Sequence, residues 1–296
     1  MPTPSLTQPR AIAVTAAAIA LTLVISACSS TASPGPSPTI SLSAEPGKGL
    51  PSTHVHGLSV NSETGQILLA THEGLFDVSK NTAVKIGPTN DLMGFTAAMD
   101  QGVFYASGHP GQDSDLPNPV GLIRSTDGGA TWERLSRQGE SDFHALATTK
   151  SGIVAYDGTL QTSTDGKSWQ TATAGFVPAV LAGNPYSNTV LATTPKGLQR
   201  SADAGKTWAL NAGAPVMQFA AFASATEAVG VTPDGTVYLS VDAGMGWNKT
   251  GKIDGEVQAI AASEGSEGSP WIWAATTTGL SVSTDGGATF RPADAD

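Results

Sequence analysis

The sequence predicts an all-β chain folded as a six-bladed β-propeller, and three observations carry that prediction. Charged residues make up only 14% of the 296, while 34 Gly and 19 Pro punctuate short runs of Val, Thr, Ala and Leu. That texture belongs to many short strands joined by turns and excludes a helical bundle. A short pattern of Ser, Asp, Gly and a closing aromatic recurs, its leading serines 38, 38, 39 and 43 residues apart. About four strand-like runs can be read around each copy, and four strands in roughly 40 residues make one propeller blade.

The chain opens on a polar stretch ending at Arg10, followed by an apolar run over residues 11–25 and then Ser26-Ala27-Cys28. The run is shorter than the roughly twenty residues that span a bilayer as a helix. It predicts a secretory signal over residues 1–27. With the single cysteine standing where the small residues end, the segment resembles the lipobox of bacterial lipoproteins. That resemblance implies that Cys28 becomes the lipidated first residue of the mature protein, held in the lipid bilayer on the extracytoplasmic face of the cell membrane. One cysteine also excludes a disulfide framework and any CxxC metal or redox site. Residues 28–52, rich in Ser, Pro and Thr with no sustained apolar period, read as a tether. The propeller is expected over residues 53–296.

Its first blade shows strand-like runs at 56–60, 67–71, 75–78 and 83–86 but no copy of the pattern. Five blades follow, near residues 91–136, 142–173, 177–211, 216–250 and 256–292. Their copies are Ser125-x-Asp127-x-Gly129-x-x-Trp132, the shorter Ser163-x-Asp165 ending at Trp169, Ser201-x-Asp203-x-Gly205-x-x-Trp208, Ser240-x-Asp242-x-Gly244-x-x-Trp247 and Ser283-x-Asp285-x-Gly287-x-x-Phe290. The motif resembles the Asp-box, or bacterial neuraminidase repeat. Its chemistry is structural: Asp accepts from backbone N–H groups of its own turn, Gly takes a positive φ, and the aromatic packs into the seam with a neighbouring blade. The last blade has its own fourth strand, so the sequence shows no strand swap to close the ring.

In a blade whose strands run A to D outward, the A–B and C–D turns share one rim with the Asp-boxes. The B–C loops and the starts of strand A share the other. All five histidines fall on that second rim, in three adjacent blades: His54, His56 and His144 at starts of strand A, His72 ending a strand B, and His109 entering a B–C loop. His54 and His56, two apart in an extended segment, are expected to point the same way. Imidazoles so placed suit one transition metal ion, Cu or Zn. Glu73, Asp142 or Glu256 are then further ligands or support, and Met93 is a soft neighbour for a cuprous ion. Neutral imidazoles are expected to bind above about pH 6.5 and to release the metal as they protonate. The plainer alternative is a set of loop histidines each satisfying a backbone carbonyl.

A formal charge of −10, from 15 Lys and Arg against 25 Asp and Glu, argues against a nucleic-acid partner. The Asp-box resemblance extends to sialidases, which clamp a substrate carboxylate with three arginines and carry an early F/Y-R-I-P motif. No F/Y-R-I-P occurs here, Arg124 and Arg200 abut the boxes, Arg291 lies in a fourth strand, and Arg134 and Arg137 leave an outer one. Without an arginine triad, a classical sialidase is not expected. Other Asp-box glycosidases use two carboxylates; Glu73, Tyr156, Asp157 and Asp234, with Asp113 and Asp115, are the residues that would carry such hydrolysis. The histidine-bearing segments also resemble those of bacterial envelope lipoproteins with Asp-boxes, a group often labelled glycosyl hydrolase or exo-alpha-sialidase. The expected function is a monomeric, membrane-anchored binding module that takes a small ligand, glycan or protein on its histidine-rich rim. A glycoside hydrolase and a protein-assembly scaffold are the alternatives.

Overall fold

The computed structural model describes residues 50–51, 53–265 and 268–293. The signal segment, Cys28 and all but the last residues of the tether lie outside the described residues. Among those described, strands form six four-stranded antiparallel sheets, each built from consecutive strands. The innermost strands are β1 (Val55–Asn61), β5 (Asp91–Ala97), β9 (Ala145–Thr149), β13 (Val180–Gly183), β17 (Phe219–Phe222) and β21 (Val257–Ser263). Each packs on the next around the ring, and β21 packs on β1. The all-β six-bladed propeller is therefore the observed fold.

The core lies in the seams. Six hydrophobic clusters each join one blade to its neighbour, which follows from blades that are apolar on both faces. The ring is closed by side chains: Val55, Leu69 and Val78 of the first blade meet Ala259 and Ala275 of the last. Among the described residues no strand is exchanged, because β24 (Arg291–Pro292) pairs with β23 (Gly279–Ser283) of its own sheet.

In each Asp-box turn the Ser hydroxyl bonds the Asp and a Gly N–H, and the Asp accepts from backbone N–H groups further along the turn. The Ser201 hydroxyl donates to Asp203 Oδ1 at 2.8 Å and accepts from the Gly205 N–H at 2.9 Å, while Asp203 accepts from the Thr207 N–H at 2.9 Å and the Thr207 hydroxyl at 2.6 Å. Such donors hold the carboxylates of Asp127, Asp165 and Asp285 down to about 2. The outer strand starts one residue after the aromatic, as at β16 (Ala209–Asn211) after Trp208. The aromatic itself enters the seam cluster shared with the preceding blade, Trp132, Trp169, Trp208, Trp247 and Phe290 doing so in turn. Boxes thus clamp backward: Trp169 donates to Ser136 Oγ, and Asn211 donates to Gly244 O, each at 2.9 Å across a seam. The first blade has no box, and its seam with the sixth holds a cleft of about 170 Å³ beside Val78, Lys80, Thr278, Leu280 and Pro292, with Leu50 at its edge.

On the opposite rim the inner strands of three blades begin irregularly. The pairing steps from Val55↔Thr71 to Gly57↔Ala70, leaving His56 as an extra residue; β5 slips between Asp91 and Gly94, and β21 between Val257 and Ala259. Such bulges re-aim side chains at the end of a ladder.

Candidate functional site

Three of the five histidines meet above the first blade. His54 precedes β1, His56 occupies its bulge, and His72 sits in the hairpin between β2 (Gln66–Thr71) and β3 (Gly74–Asp77). Buried Val55 between the first two is pinned in the seam cluster, so its neighbours are held at the rim. The Thr71 hydroxyl, donating to Gly74 O at 3.0 Å and accepting from the Glu73 N–H at 3.1 Å, locks the hairpin that carries His72. One ring nitrogen from each of His54, His56 and His72 lies within 4.8 Å of the others. Nε2 of His56 and Nε2 of His72 are 3.2 Å apart.

An acid missed in the sequence orients this group. Asp91, at the start of β5, lies with Oδ1 3.0 Å from Nδ1 of His72. The carboxylate accepts the Nδ1 proton, which leaves the Nε2 lone pair of His72 facing His56, the arrangement that metal-binding histidines use. Burial, reinforced by the charges His72 and His54 would carry, lowers His56 from its ordinary 6.5 to about 4. His56 therefore stays neutral well below the pH 6.5 expected from an isolated imidazole. His56 also borders the inner end of the central channel, a space of about 500 Å³ walled by Leu58, Phe95, Leu146 and Phe219 that runs to the A–B turns of Glu63, Asp100 and Tyr186 on the Asp-box rim.

The other two histidines gather around Asp142. Phe143, fully buried and with its ring centroid 4.9 Å from that of Trp169, donates its N–H to the Ser107 hydroxyl oxygen at 2.8 Å. It anchors the segment from which Asp142 and His144 project. Asp142 Oδ2 lies 2.7 Å from Nε2 of His144 and 3.3 Å from Nε2 of His109, whose Nδ1 lies 2.7 Å from Asn118 Oδ1. The five histidines thus share one rim but form two groups, three in the first blade and two across the second and third.

The remaining candidates stand apart. Glu73 and Glu256 are exposed, and neither belongs to the group formed by His54, His56 and His72. Tyr156 packs into the seam between the third and fourth blades. Asp157 accepts from Gln161 at 2.9 Å and pairs with Arg137 at 3.8 Å. Asp234 is held to about 2 by hydrogen bonds from Thr232 and Thr236, which keeps it ionised and occupied with its own turn. Arg124 pairs with Glu133, and Arg200 donates to Ala243 O at 2.8 Å, so both are spent among the outer strands.

Residues 123–134 match the BNR/Asp-box repeat. The chain is a six-bladed propeller built on Asp-boxes. This Asp-box propeller is similar in fold to the GH74 xyloglucanase of Xanthomonas campestris, with a TM-score of 0.58 and 16% identity over 83% of this chain and 39% of that one. The GH74 enzyme of Niastella koreensis gives 0.56 and 18%, over 83% and 37%. An ancestral GH74 enzyme gives 0.51 and 16%, over 80% and 36%. The chain spans less than two fifths of the length of these enzymes, and at such identities the likeness is one of fold. No curated protein sequence matches the chain.

Proposed function

We propose that this Asp-box propeller is a lipid-anchored, extracytoplasmic binding module. Its histidine rim would take a transition metal, zinc or copper, and present it to a ligand on that rim. The observation that carries the reading is the meeting of His54, His56 and His72 within 4.8 Å, with Asp91 fixing the proton of His72. Three imidazoles suit either ion and leave a coordination position for a ligand. The central channel of about 500 Å³, which His56 borders at its inner end, is the size of a small-ligand pocket. The anchor rests on the apolar run before Cys28. Hydrolysis by rim carboxylates is less well supported, because a general acid needs a raised pKa and Asp234 has a lowered one.

The test is metal content by mass spectrometry on the full-length chain, purified without chelator, beside a His56→Ala/His72→Ala variant. Loss of one equivalent of zinc or copper with unchanged metal-free thermal unfolding is the expected result. Equal metal in both proteins, or no ion held more tightly than about 100 μM, sinks the reading.

A further inference from the structure

The pair of histidines on the second and third blades is not used by the site above, and its proton arrangement is unusual. His109 ends β6 (Phe104–His109) and His144 precedes β9, yet both direct Nε2 at the same atom, Oδ2 of Asp142, at 3.3 and 2.7 Å. Asn118 Oδ1 lies 2.7 Å from Nδ1 of His109 on the far side of the ring. An amide oxygen only accepts, so Nδ1 carries the proton and Nε2 of a neutral His109 has only a lone pair. A lone pair and a carboxylate oxygen repel each other. Something positive belongs between them, either a second proton or a metal ion.

Two further observations point to the ion. Oδ1 of Asp142 is buried without a hydrogen-bond partner, an acceptor left costly and idle beside the two imidazoles. His109 is braced through its other nitrogen by an oxygen acceptor, as His72 is braced by Asp91, which is how ligating histidines are held. We propose that His109, His144 and Asp142 form a second divalent-cation site, so that the rim holds two ions. The ion replaces the protons between Asp142 and its two imidazoles: the second proton of His109 leaves to solvent, and the Nε2 proton of His144 is exchanged through solvent to its exposed Nδ1, which frees the Nε2 lone pair. With an oxygen donor in place of a third nitrogen, the site is the harder of the two and takes zinc, cobalt(II) or iron(II) in preference to cuprous copper. The assignment rests on its own residues and does not require an ion at His54, His56 and His72.

Cobalt(II) titration of the chelator-stripped full-length chain, read by its visible d–d absorption and by bound metal after dialysis, tests this. Two equivalents are expected, with Asp142→Asn and His144→Gln each removing one and leaving the other. The His144 side chain is 59% exposed, so its variant places no burden on folding. Asn118→Ala is expected to weaken the same equivalent about 10-fold. Two equivalents retained in both Asp142→Asn and His144→Gln overturn the proposal. So does a single equivalent lost alike from these variants and from His56→Ala/His72→Ala, which would mean one shared ion. If only the three-histidine site is wrong, His56→Ala/His72→Ala changes nothing while Asp142→Asn still removes an equivalent.

Discussion

The two rims of the propeller are built by opposite rules. On one, the same turn recurs in five blades, and in each the leading Ser hydroxyl accepts from the N–H of a glycine in the turn. On the other, a turn also recurs. Thr71, Thr194 and Thr276 each donate a hydroxyl hydrogen bond to the carbonyl of the glycine three residues on, at 3.0, 2.7 and 2.9 Å. Only the first of these hairpins carries a histidine. Repetition therefore marks how five of the blades are clamped to their neighbours, and departure from repetition marks what one side of the ring does.

Substitutions that separate fold from site should separate the rims, and the largest effect is expected on the box rim. A Cβ on Gly205 would stand 2.8 Å from both methyls of Val154 in the preceding blade, at a φ of +81°. Gly205→Val should cost about 1–2 kcal/mol for the left-handed backbone and about 1–3 kcal/mol more for overpacking, with metal content unchanged. Gly139, at φ +75° with open space around it, isolates the first term. Urea unfolding of Gly205→Val and Gly139→Ala checks the pair; equal losses would mean that the box does not clamp the seam.

What could be read in advance follows the same division. The Asp-box is local chemistry at fixed spacing, so Asp127 or Asp285 betrays its turn in eight residues of sequence. The placing of all five histidines on one rim also follows from strand order alone. Their separation into groups does not, because it depends on how blades meet around the ring. Asp91 was hidden for a sharper reason: the slip between Asp91 and Gly94 adds a residue at the start of β5. Counting back from Gly94, the position matching His54 is therefore Leu92, which is buried, and the acid beside it goes unnoticed. The spacing Thr71-x-x-Gly74 recurs at Thr149, Thr194 and Thr276, each with the same hydroxyl-to-carbonyl bond, and would have placed His72 at a turn tip. The lowered pKa of His56 arises from burial and from residues far along the chain, and no local pattern reports it.

Asp91 provides the middle-sized test of the histidine rim. Asp91→Asn keeps the shape of the side chain but removes the charge that draws the His72 proton to Nδ1. Metal affinity at the three-histidine site should fall about 10-fold, within the range for removing a partner that braces a ligand. Competition with a chelator of known affinity measures it, and the His109–His144 group should not respond. A fall at both groups would show them to be one site.

The smallest expected effect is the response of the metal-free protein to acid, and there too the rims differ. His56 is lowered from 6.5 to about 4, so between those values the unfolded chain takes up a proton that the folded one refuses. Its contribution is intact above pH 6.5 and declines as the pH falls toward 4. Asp285 is lowered from 3.8 to about 2, so its contribution persists through that whole window and is lost only below it. The thermal midpoint should therefore fall in two steps. His56→Ala should flatten the upper step alone, and Asp285→Asn should reduce the lower one alone. A midpoint constant from pH 6.5 to 4 would mean that His56 accepts its proton freely in the fold, and that the three imidazoles are looser than their 4.8 Å grouping requires.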